Sequence, residues 1–266
     1  MAITALHTAA TGMQALSTKM DVIANNIANA DTIGFKSARA NFQDLLYQIR
    51  TQPGVQTSDD TASPLGTQIG LGVALSNTQV LFRQGSAMQT GEPLDAMIQG
   101  DGFFQIELPG GGTAYTRAGN FVRNPNGELV LGDSFGHRLK DAPTIPQDVP
   151  INQVGITADG RIVASRSDGT VEDLGQLELA RFANPGGLLQ LGGNLYQQSA
   201  ASGPPIEGVA GAEGMGTILP GTLEQSTTEA VAELVELIKA QRVFQMNSQT
   251  IQAADESLRV VANLRR

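Results

Sequence analysis

The sequence predicts an α+β protein in which long N- and C-terminal helices pair as a coiled-coil-like layer, with a connector region and a central all-β domain. Two observations predict this class: apolar heptad spacings at both ends of the 266-residue chain, and Asn-Gly and Asp-Gly turn signals between them. We expect the helical layer at 1–30 and 222–266, the connector at 31–71 and the β-domain at 72–221.

The first helix is predicted from Thr4 to about Asn29. Apolar side chains recur seven residues apart there, which places them on one side of a helix. Apart from Lys19 and Asp21 the helix is uncharged, and small uncharged flanks suit contacts on several sides. The predicted N-terminal seam consists of Leu6, Met13, Leu16, Met20, Ile23 and Ile27.

Residues 34–72 give two conflicting signals. Ala38, Phe42, Leu45, Leu46 and Ile49 have helical spacing and predict a short helix. The following stretch, 52–70, is rich in Ser, Thr, Pro and Gly and predicts an extended or flexible connector. Its length is unusual inside a compact domain and indicates a functional extension.

The middle of the chain predicts short strands and tight turns. Three dipeptides, Asn126-Gly127, Asp159-Gly160 and Asp168-Gly169, tolerate the positive φ that hairpin turns require. The Gly- and Pro-rich run 200–216 predicts a loop that leaves this all-β body. The candidate strands are 73–82, 97–108, 121–122, 128–131, 162–164 and 176–182.

The last helix is predicted from Thr227 to Leu264, opened by a capping-box spacing at Ser226 to Glu229. It would be roughly 55 Å long at ~1.5 Å per residue, too long for a small β body to cover. Its predicted seam consists of Leu234, Leu237, Phe244, Ile251 and Leu258. A second, partly polar line, which favours a specific multi-helix packing, consists of Leu234, Gln241, Ser248, Asp255 and Ala262. The pattern alone leaves open whether each seam is buried within one molecule or between molecules.

Composition excludes several functional classes. The net charge of −9 argues against nucleic-acid binding, and no apolar run is long enough to cross a bilayer. No Sec-type signal peptide is evident, and the absence of cysteine excludes disulfides and thiolate metal sites. The residues between 50 and 221 carry eight basic and seventeen acidic side chains, so the acidity lies in the middle and the two ends are almost neutral. Neutral ends can pack in many copies without accumulating repulsion.

We predict no catalytic, metal or cofactor site, and no enzymatic activity. Gly132-Asp133-Ser134-Phe135-Gly136 matches a hydrolase nucleophile elbow with His137 close by, but that elbow requires a strand-turn-helix context. The region predicts only strands and turns, so we interpret the motif as a β-turn. A secreted β-domain hydrolase or lectin, or a monomeric binding module, stays an alternative of a different class.

Particular residues then indicate a family. The stretches 25–29 and 32–36 resemble the signature of bacterial flagellar rod and hook proteins, and 102–104, 115–121 and 127–130 resemble the β-domain motifs of that family. Residues 221–226 and 241–248 resemble its C-terminal block. The motif residues singled out are Asn25, Asn26, Asn29, Gly34, Phe35, Gly102, Phe103, Tyr115, Arg117 and Gly119.

Within the family the connector resembles that of the distal-rod branch, in particular at Gln52, Pro53, Gly54, Gln68 and Gly70. Two stretches depart from the usual pattern: Ser226-Thr227-Thr228 stands where Ser-Asn-Val is common, and Phe244-Gln245 where Tyr-Glu is common. The resemblance implies an inner tubular layer of terminal helices and an outer β body. It also implies that the segment after Phe35 is more extended than its helical spacing predicts.

The resemblance implies a structural subunit of the distal rod of the flagellar basal body, which polymerises into a rigid helical tube and transmits torque from motor to hook. The implied partners are identical subunits, proximal rod and hook proteins, the L- and P-ring bushing and the flagellar type III export apparatus. The implied location is the periplasm-spanning rod, without membrane insertion. A proximal rod or hook subunit of the same architecture is the alternative within the family.

Overall fold

A computed structural model describes residues 2–53, 56–58, 61–62, 65–166, 170–212 and 214–264. The chain forms two compact units. The first, here the helical unit, comprises 1–28, 38–79 and 229–266, and the second, here the β unit, comprises 29–37 and 80–228. The chain therefore passes from one unit to the other four times, after Ala28, Ser37, Gln79 and Thr228.

In the helical unit, two α-helices pack against each other: α1 is Ala2–Ala28 and α2 is Ala230–Leu264. They run antiparallel. Lys19 of α1 pairs with Glu236 of α2, and Gly12, about two turns nearer the N-terminus of α1, lies against Asn247, which is further toward the C-terminus of α2. The predicted pairing of the terminal helices is confirmed.

The start of α2 differs from the predicted capping box. The first helical hydrogen bond runs from the Glu233 N–H to the Glu229 carbonyl, at 3.0 Å. The Ser226 hydroxyl accepts from the Thr228 N–H instead, at 3.2 Å. That bond closes a local turn ahead of the helix, which competes with a capping interaction.

The rest of the helical unit is a long β-hairpin built from nested antiparallel pairs. The strands are β1 (Ala38–Asp44), β2 (Tyr47–Thr51), β3 (Gln56–Ser58), β4 (Thr61–Ala62), β5 (Thr67–Gly70) and β6 (Val73–Val80). β1 pairs with β6, β2 with β5 and β3 with β4. The short helix predicted over 38–49 is therefore wrong, and the extended conformation implied by the resemblance is the observed one. The spacing of residues within a short segment cannot reveal a partner strand that lies some thirty residues further along the chain.

The β unit holds the remaining strands. They are β7 (Ala87–Gln89), β8 (Ala96–Gln99), β9 (Phe103–Leu108), β10 (Gly112–Thr116), β11 (Phe121–Arg123), β12 (Leu129–Leu131), β13 (Val154–Ile156), β14 (Arg161–Ser165), β15 (Val171–Gln176), β16 (Glu178–Arg181), β17 (Leu189–Gly192), β18 (Leu195–Gln197), β19 (Ile206–Val209), β20 (Thr217–Pro220) and β21 (Thr222–Glu224). A six-stranded antiparallel sheet has the order β17-β18-β10-β9-β16-β19. β13, β14 and β15 form a three-stranded sheet, and β11-β12, β8-β20 and β7-β21 form pairs.

The turn signals locate two hairpins correctly. Asn126-Gly127 lies between β11 and β12, with Gly127 at φ 86°, and Asp159-Gly160 lies between β13 and β14. The Asp168-Gly169 signal lies outside the described residues. The loop predicted over 200–216 is partly wrong, because β19 lies within it and pairs with β16.

Both faces of the six-stranded sheet are covered by apolar side chains. One face contributes Phe104, Ile106 and Leu179 to the large core of the β unit. The other carries a smaller aromatic cluster with Phe103, Tyr115, Phe182 and Tyr196. Alternation along β9 sends Phe103 to one face and Phe104 to the other, as strand geometry requires.

Candidate assembly surfaces

The eleven predicted seam residues differ in burial. Ile23 is buried and Leu234 is 51% exposed. The other nine, which are Leu6, Met13, Leu16, Met20, Ile27, Leu237, Phe244, Ile251 and Leu258, are half-buried. On α2 the second line of covered side chains includes Ala240, which is buried, and Asn247, which is half-buried. Leu234 and Gln241, which were predicted to form this line, are exposed.

A second apolar face, here the outer stripe, lies on the first half of α2. It consists of Val231, Leu234, Val235 and Ile238, which are 78, 51, 46 and 43% exposed. The spacing i, i+3, i+4, i+7 places the four side chains on one face at 3.6 residues per turn. That face is centred opposite Ala240, which is 2% exposed against α1. The apolar residues were visible in the sequence, but only Leu234 was singled out there.

The hairpin also exposes apolar side chains. Every residue of β2 is exposed, and Tyr47 and Ile49 lie on the same face of it. Leu46 and Leu65 are exposed as well. A two-stranded ribbon open on both faces has little core of its own, so it depends on further contacts for its order.

The predicted connector residues fall at the middle of this ribbon. Gln52 and Pro53 follow β2 and are exposed, while Gln68 and Gly70 belong to β5. Gly70 pairs with Tyr47, whose ring would lie 3.3 Å from a Cβ at that position. Gly54 lies outside the described residues.

The Asn25–Asn29 motif ends α1. Asn26 is 1% exposed, and its amide nitrogen donates to the Ala38 carbonyl at 2.8 Å and to the Glu233 carboxylate at 3.0 Å. Its oxygen accepts from the Ala38 N–H at 3.0 Å. One side chain thus joins α1, β1 and α2, and fixes their register. Asn25 is exposed, and the Asn29 side chain accepts from the Thr32 hydroxyl.

Two motif glycines permit close backbone approach. Gly34 has a φ of 69°, and a Cβ there would lie 2.7 Å from the Ala118 nitrogen. A Cβ at Gly119 would lie 1.6 Å from the Ala96 carbonyl oxygen, which no backbone could tolerate. Phe35, next to Gly34, is half-buried, and its carbonyl accepts from the Thr227 N–H at 3.1 Å.

The β-domain motif residues form the aromatic face of the six-stranded sheet. Tyr115 and Phe182 meet edge to face with ring centroids 4.7 Å apart, and Phe103 lies 5.9 Å from Phe182. The guanidinium of Arg117 lies over the Phe103 ring at 5.2 Å. Gly102, at φ 140°, precedes β9 and starts this strand. These contacts are those of a packed core.

Arg117 belongs to a buried ionic cluster with Lys36 and Glu224, which the sequence alone did not indicate. The Lys36 ammonium donates to the Glu224 carboxylate at 2.7 Å, and the nearest Arg117 nitrogen lies 3.8 Å from the other carboxylate oxygen. Burial lowers the pKa of Lys36 and that of Arg117, and Glu224 opposes both shifts. The signal in the sequence that pointed to Glu224 is its position in the family-like block 221–226.

The Gly132–Gly136 motif forms a turn after β12. Oxygens of the Asp133 carboxylate accept from the backbone N–H groups of Phe135 and Gly136 and contact His137 Nδ1. No helix follows between 132 and 150, a stretch the structure describes in full, so the strand-turn-helix context of a nucleophile elbow is missing there.

Two features are absent from the described residues. These residues contain no group of three His, Cys, Asp or Glu side chains that could hold a metal ion. Neither α1 nor α2, over the residues described, is long and apolar enough to cross a membrane.

Comparisons with known proteins agree with these motifs. Three family descriptions match: Flagella basal body rod protein at 6–36, Flagellar hook protein FlgE/F/G D1 domain at 97–164 and Flagellar basal body rod FlgEFG protein C-terminal at 219–264. A flagellar basal-body rod protein FlgG from Borreliella burgdorferi is 42% identical over 98% of both chains. Those from Caulobacter vibrioides and Bacillus subtilis are 43% and 38% identical, over 98% of this chain and 99% and 98% of theirs. The chain therefore belongs to the flagellar basal-body rod and hook protein family.

Proposed function

We propose that this chain is a structural subunit of the distal rod in the flagellar basal body. It polymerises into a rigid helical tube that transmits torque from the motor to the hook. The outer stripe carries the proposal, because an apolar face on a long helix is left uncovered by the chain's own residues among those described.

The mechanism is repeated contact between different faces of identical subunits. One face of α2 packs on α1, and the outer stripe on its opposite side is free to meet another copy. Contacts between unlike patches extend into an open helical array when the rotation between neighbouring subunits does not close a ring. The near-neutral chain ends allow such packing without accumulating charge repulsion.

The outer stripe is tested by replacing Val235 with Glu. The side chain is 46% exposed, so the isolated subunit should keep its helix content, measured by circular dichroism. Burying the new carboxylate between subunits should prevent tube formation, scored by electron microscopy under polymerising conditions. The control is Gln252→Glu, the same charge on an exposed position of the same helix. Normal tubes from the Val235 variant would contradict the proposal.

The hairpin adds lateral links between subunits and stiffens the tube. Its support is the row of exposed apolar side chains at Leu46, Tyr47, Ile49 and Leu65. Deleting 52–70 should give a tube that bends, while the α1–α2 pair stays intact. An unchanged bending stiffness in electron micrographs would refute this role.

The partners follow from the place in the rod: proximal rod and hook proteins at the ends of the tube, the L- and P-rings around it, and the flagellar type III export apparatus that delivers the subunit. The proposal also includes that the chain is not an enzyme. Ser134 lies in a turn held by Asp133, and Ser134→Ala should leave motility unchanged. Lost motility in a Ser134→Ala strain with normal rods would favour a hydrolase.

A further inference from the structure

The chain crosses between the two units at four places, and a short segment of the β unit adjoins each crossing. Three such segments matter here: 34–37, 81–85 and 222–227. They lie far apart in the sequence but are hydrogen-bonded to one another within the β unit. We refer to them as the first, second and third exit segments.

Hydrogen bonds from backbone N–H groups join the first segment to the other two, and the Glu224 carboxylate closes the ring by accepting from the Gly85 N–H. The Leu81 N–H donates to the Ser37 carbonyl at 2.8 Å, which joins the second to the first. The Ser37 N–H donates to the Thr227 hydroxyl at 2.9 Å, which joins the first to the third. The Gly34 N–H donates to the Glu224 carbonyl at 2.8 Å, a second link between the same two segments.

The Glu224 carboxylate lies at the centre of this ring and is 0% exposed. One oxygen accepts from three donors: Lys36 Nζ at 2.7 Å, the Gly85 N–H at 2.7 Å and Gln84 Nε2 at 2.9 Å. Lys36 Nζ also donates to the Arg83 carbonyl at 2.6 Å. A single carboxylate of the third segment therefore binds the first and second segments at once.

Arg117 ties the ring to the sheet. Its guanidinium lies 3.8 Å from the second oxygen of Glu224 and donates to the Gly100 carbonyl at 2.8 Å, next to the end of β8. The Glu224 carboxylate lies within ion-pair distance of both buried cations, Lys36 and Arg117. Removing the carboxylate would leave both cations buried without a counter-charge, which is strongly destabilising. Breaking one contact of the cluster therefore also weakens the others.

We propose that Glu224 is a positioning residue that couples the three exit segments into one cooperative clamp, so that force arriving along any one of them is shared by all three. The torque consequence rests on the proposed rod function, whereas the coupling itself does not. A buried carboxylate that accepts three hydrogen bonds is well suited to this role, because hydrogen bonds to a charged acceptor are stronger than those between neutral groups.

The coupling is tested by hydrogen exchange at the amides of Gly34, Gly85 and Thr227, one in each segment. Two variants open the clamp from different sides. Lys36→Met removes the donor of the first segment, and Gln84→Ala removes one of the two donors of the second, at an exposed position. In each variant, exchange should accelerate at all three amides by roughly 10- to 100-fold, the effect of losing a hydrogen bond to a charged group.

The controls are Lys140→Met and Gln147→Ala, the same types of change in the same unit. Lys140 donates to Glu207 and Gln147 to the Pro125 carbonyl, both away from Glu224. Neither should alter exchange at the three amides. Acceleration confined to the segment that carries the substitution, or equal acceleration in the controls, would overturn the coupling.

In cells, Gln84→Ala should allow rods and filaments to form but reduce swimming speed increasingly as the viscosity of the medium rises. Speed–viscosity curves that superpose on those of Gln147→Ala would overturn the torque consequence. Failure of the rod proposal is a different result, namely normal rods in a strain that lacks this chain.

Discussion

The helical unit and the β unit differ most in how much apolar surface they bury. Of the buried apolar side chains in the described residues, the helical unit contributes Ala9, Ala15, Ile23 and Ala240, three of them alanines. All others belong to the β unit, among them Phe104, Ile106, Ile162 and Leu179. The β unit therefore has a core of its own, whereas the helical unit has a thin seam and a wide apolar exterior.

This difference separates two tasks. A unit with a complete core folds independently of its neighbours. A unit with half-buried seam residues and an exposed outer stripe gains most of its remaining stability by burying that surface against other molecules. We infer that folding is completed in the β unit and assembly in the helical unit.

The largest test of the comparison is a large-to-small change in each unit. Phe104→Ala should lower the free energy of unfolding of the β unit by about 3–5 kcal/mol, because the side chain is 1% exposed and leaves a cavity. Leu237→Ala, at a half-buried position of α2, should cost less than half of that. Urea titrations followed by near-ultraviolet circular dichroism of the β-unit tyrosines and by helix content would measure both. Equal losses would remove the distinction between the units.

The next largest effect concerns the hydrogen bonds of the Asn26 side chain in the helical unit. Asn26→Ala should destabilise this unit by about 1–3 kcal/mol, since the Ala38 backbone groups lose their buried partner. Helix content during thermal unfolding would show it, with the exposed Gln14→Ala on the same helix as the control. An unchanged melting temperature would mean that Asn26 does not fix the register of α1, β1 and α2.

A smaller effect concerns pH. Lys239 and Lys19 together lower the pKa of Glu236 from its ordinary 4.5 to about 2. A lowered carboxyl pKa adds stability that is fully present above pH 4.5 and is lost as the pH falls toward about 2. Helix content should therefore fall over this window, and the fall should be reduced in Glu236→Gln. A fall of equal size in that variant would assign the change to other carboxylates.

The smallest expected effect is on the outer stripe of the isolated chain. Val231 is 78% exposed, so Val231→Ala should change the unfolding free energy by no more than ~0.5 kcal/mol. The same change should raise the protein concentration required for tube formation, measured by sedimentation. If the isolated chain is destabilised by more than this, the stripe is covered within the subunit.

Local sequence patterns predicted the helices and turns, which depend on contacts between residues close together in the chain. Heptad spacing located both helices, and the Asn126-Gly127 and Asp159-Gly160 dipeptides located two hairpins. Local patterns failed where the partner is remote. The strand β1 has helical spacing but pairs with β6, a contact that local pattern cannot reveal.

The candidate surfaces were predicted unevenly for the same reason. The seam residues of α1 follow from spacing alone, but placing Leu234 on the outer stripe and not on the seam required knowing which side of α2 meets α1. Glu224 was not singled out because its partners Lys36 and Gln84 lie 188 and 140 residues away. Family-like motifs indicated that 34–36 and 221–226 matter, and the structure gives the physical reason, which is that they bind each other.

The nearness of the exit segments has a consequence for how such chains diversify. Residues 80 to 228 form a continuous stretch whose first and last residues are held close through Ser37, which bonds to both Leu81 and Thr227. A stretch with adjacent ends can be exchanged, enlarged or shortened without altering the distance its flanking segments must span. Residues 80 to 228 can therefore differ in length between related chains without a change in the fold of the helical unit.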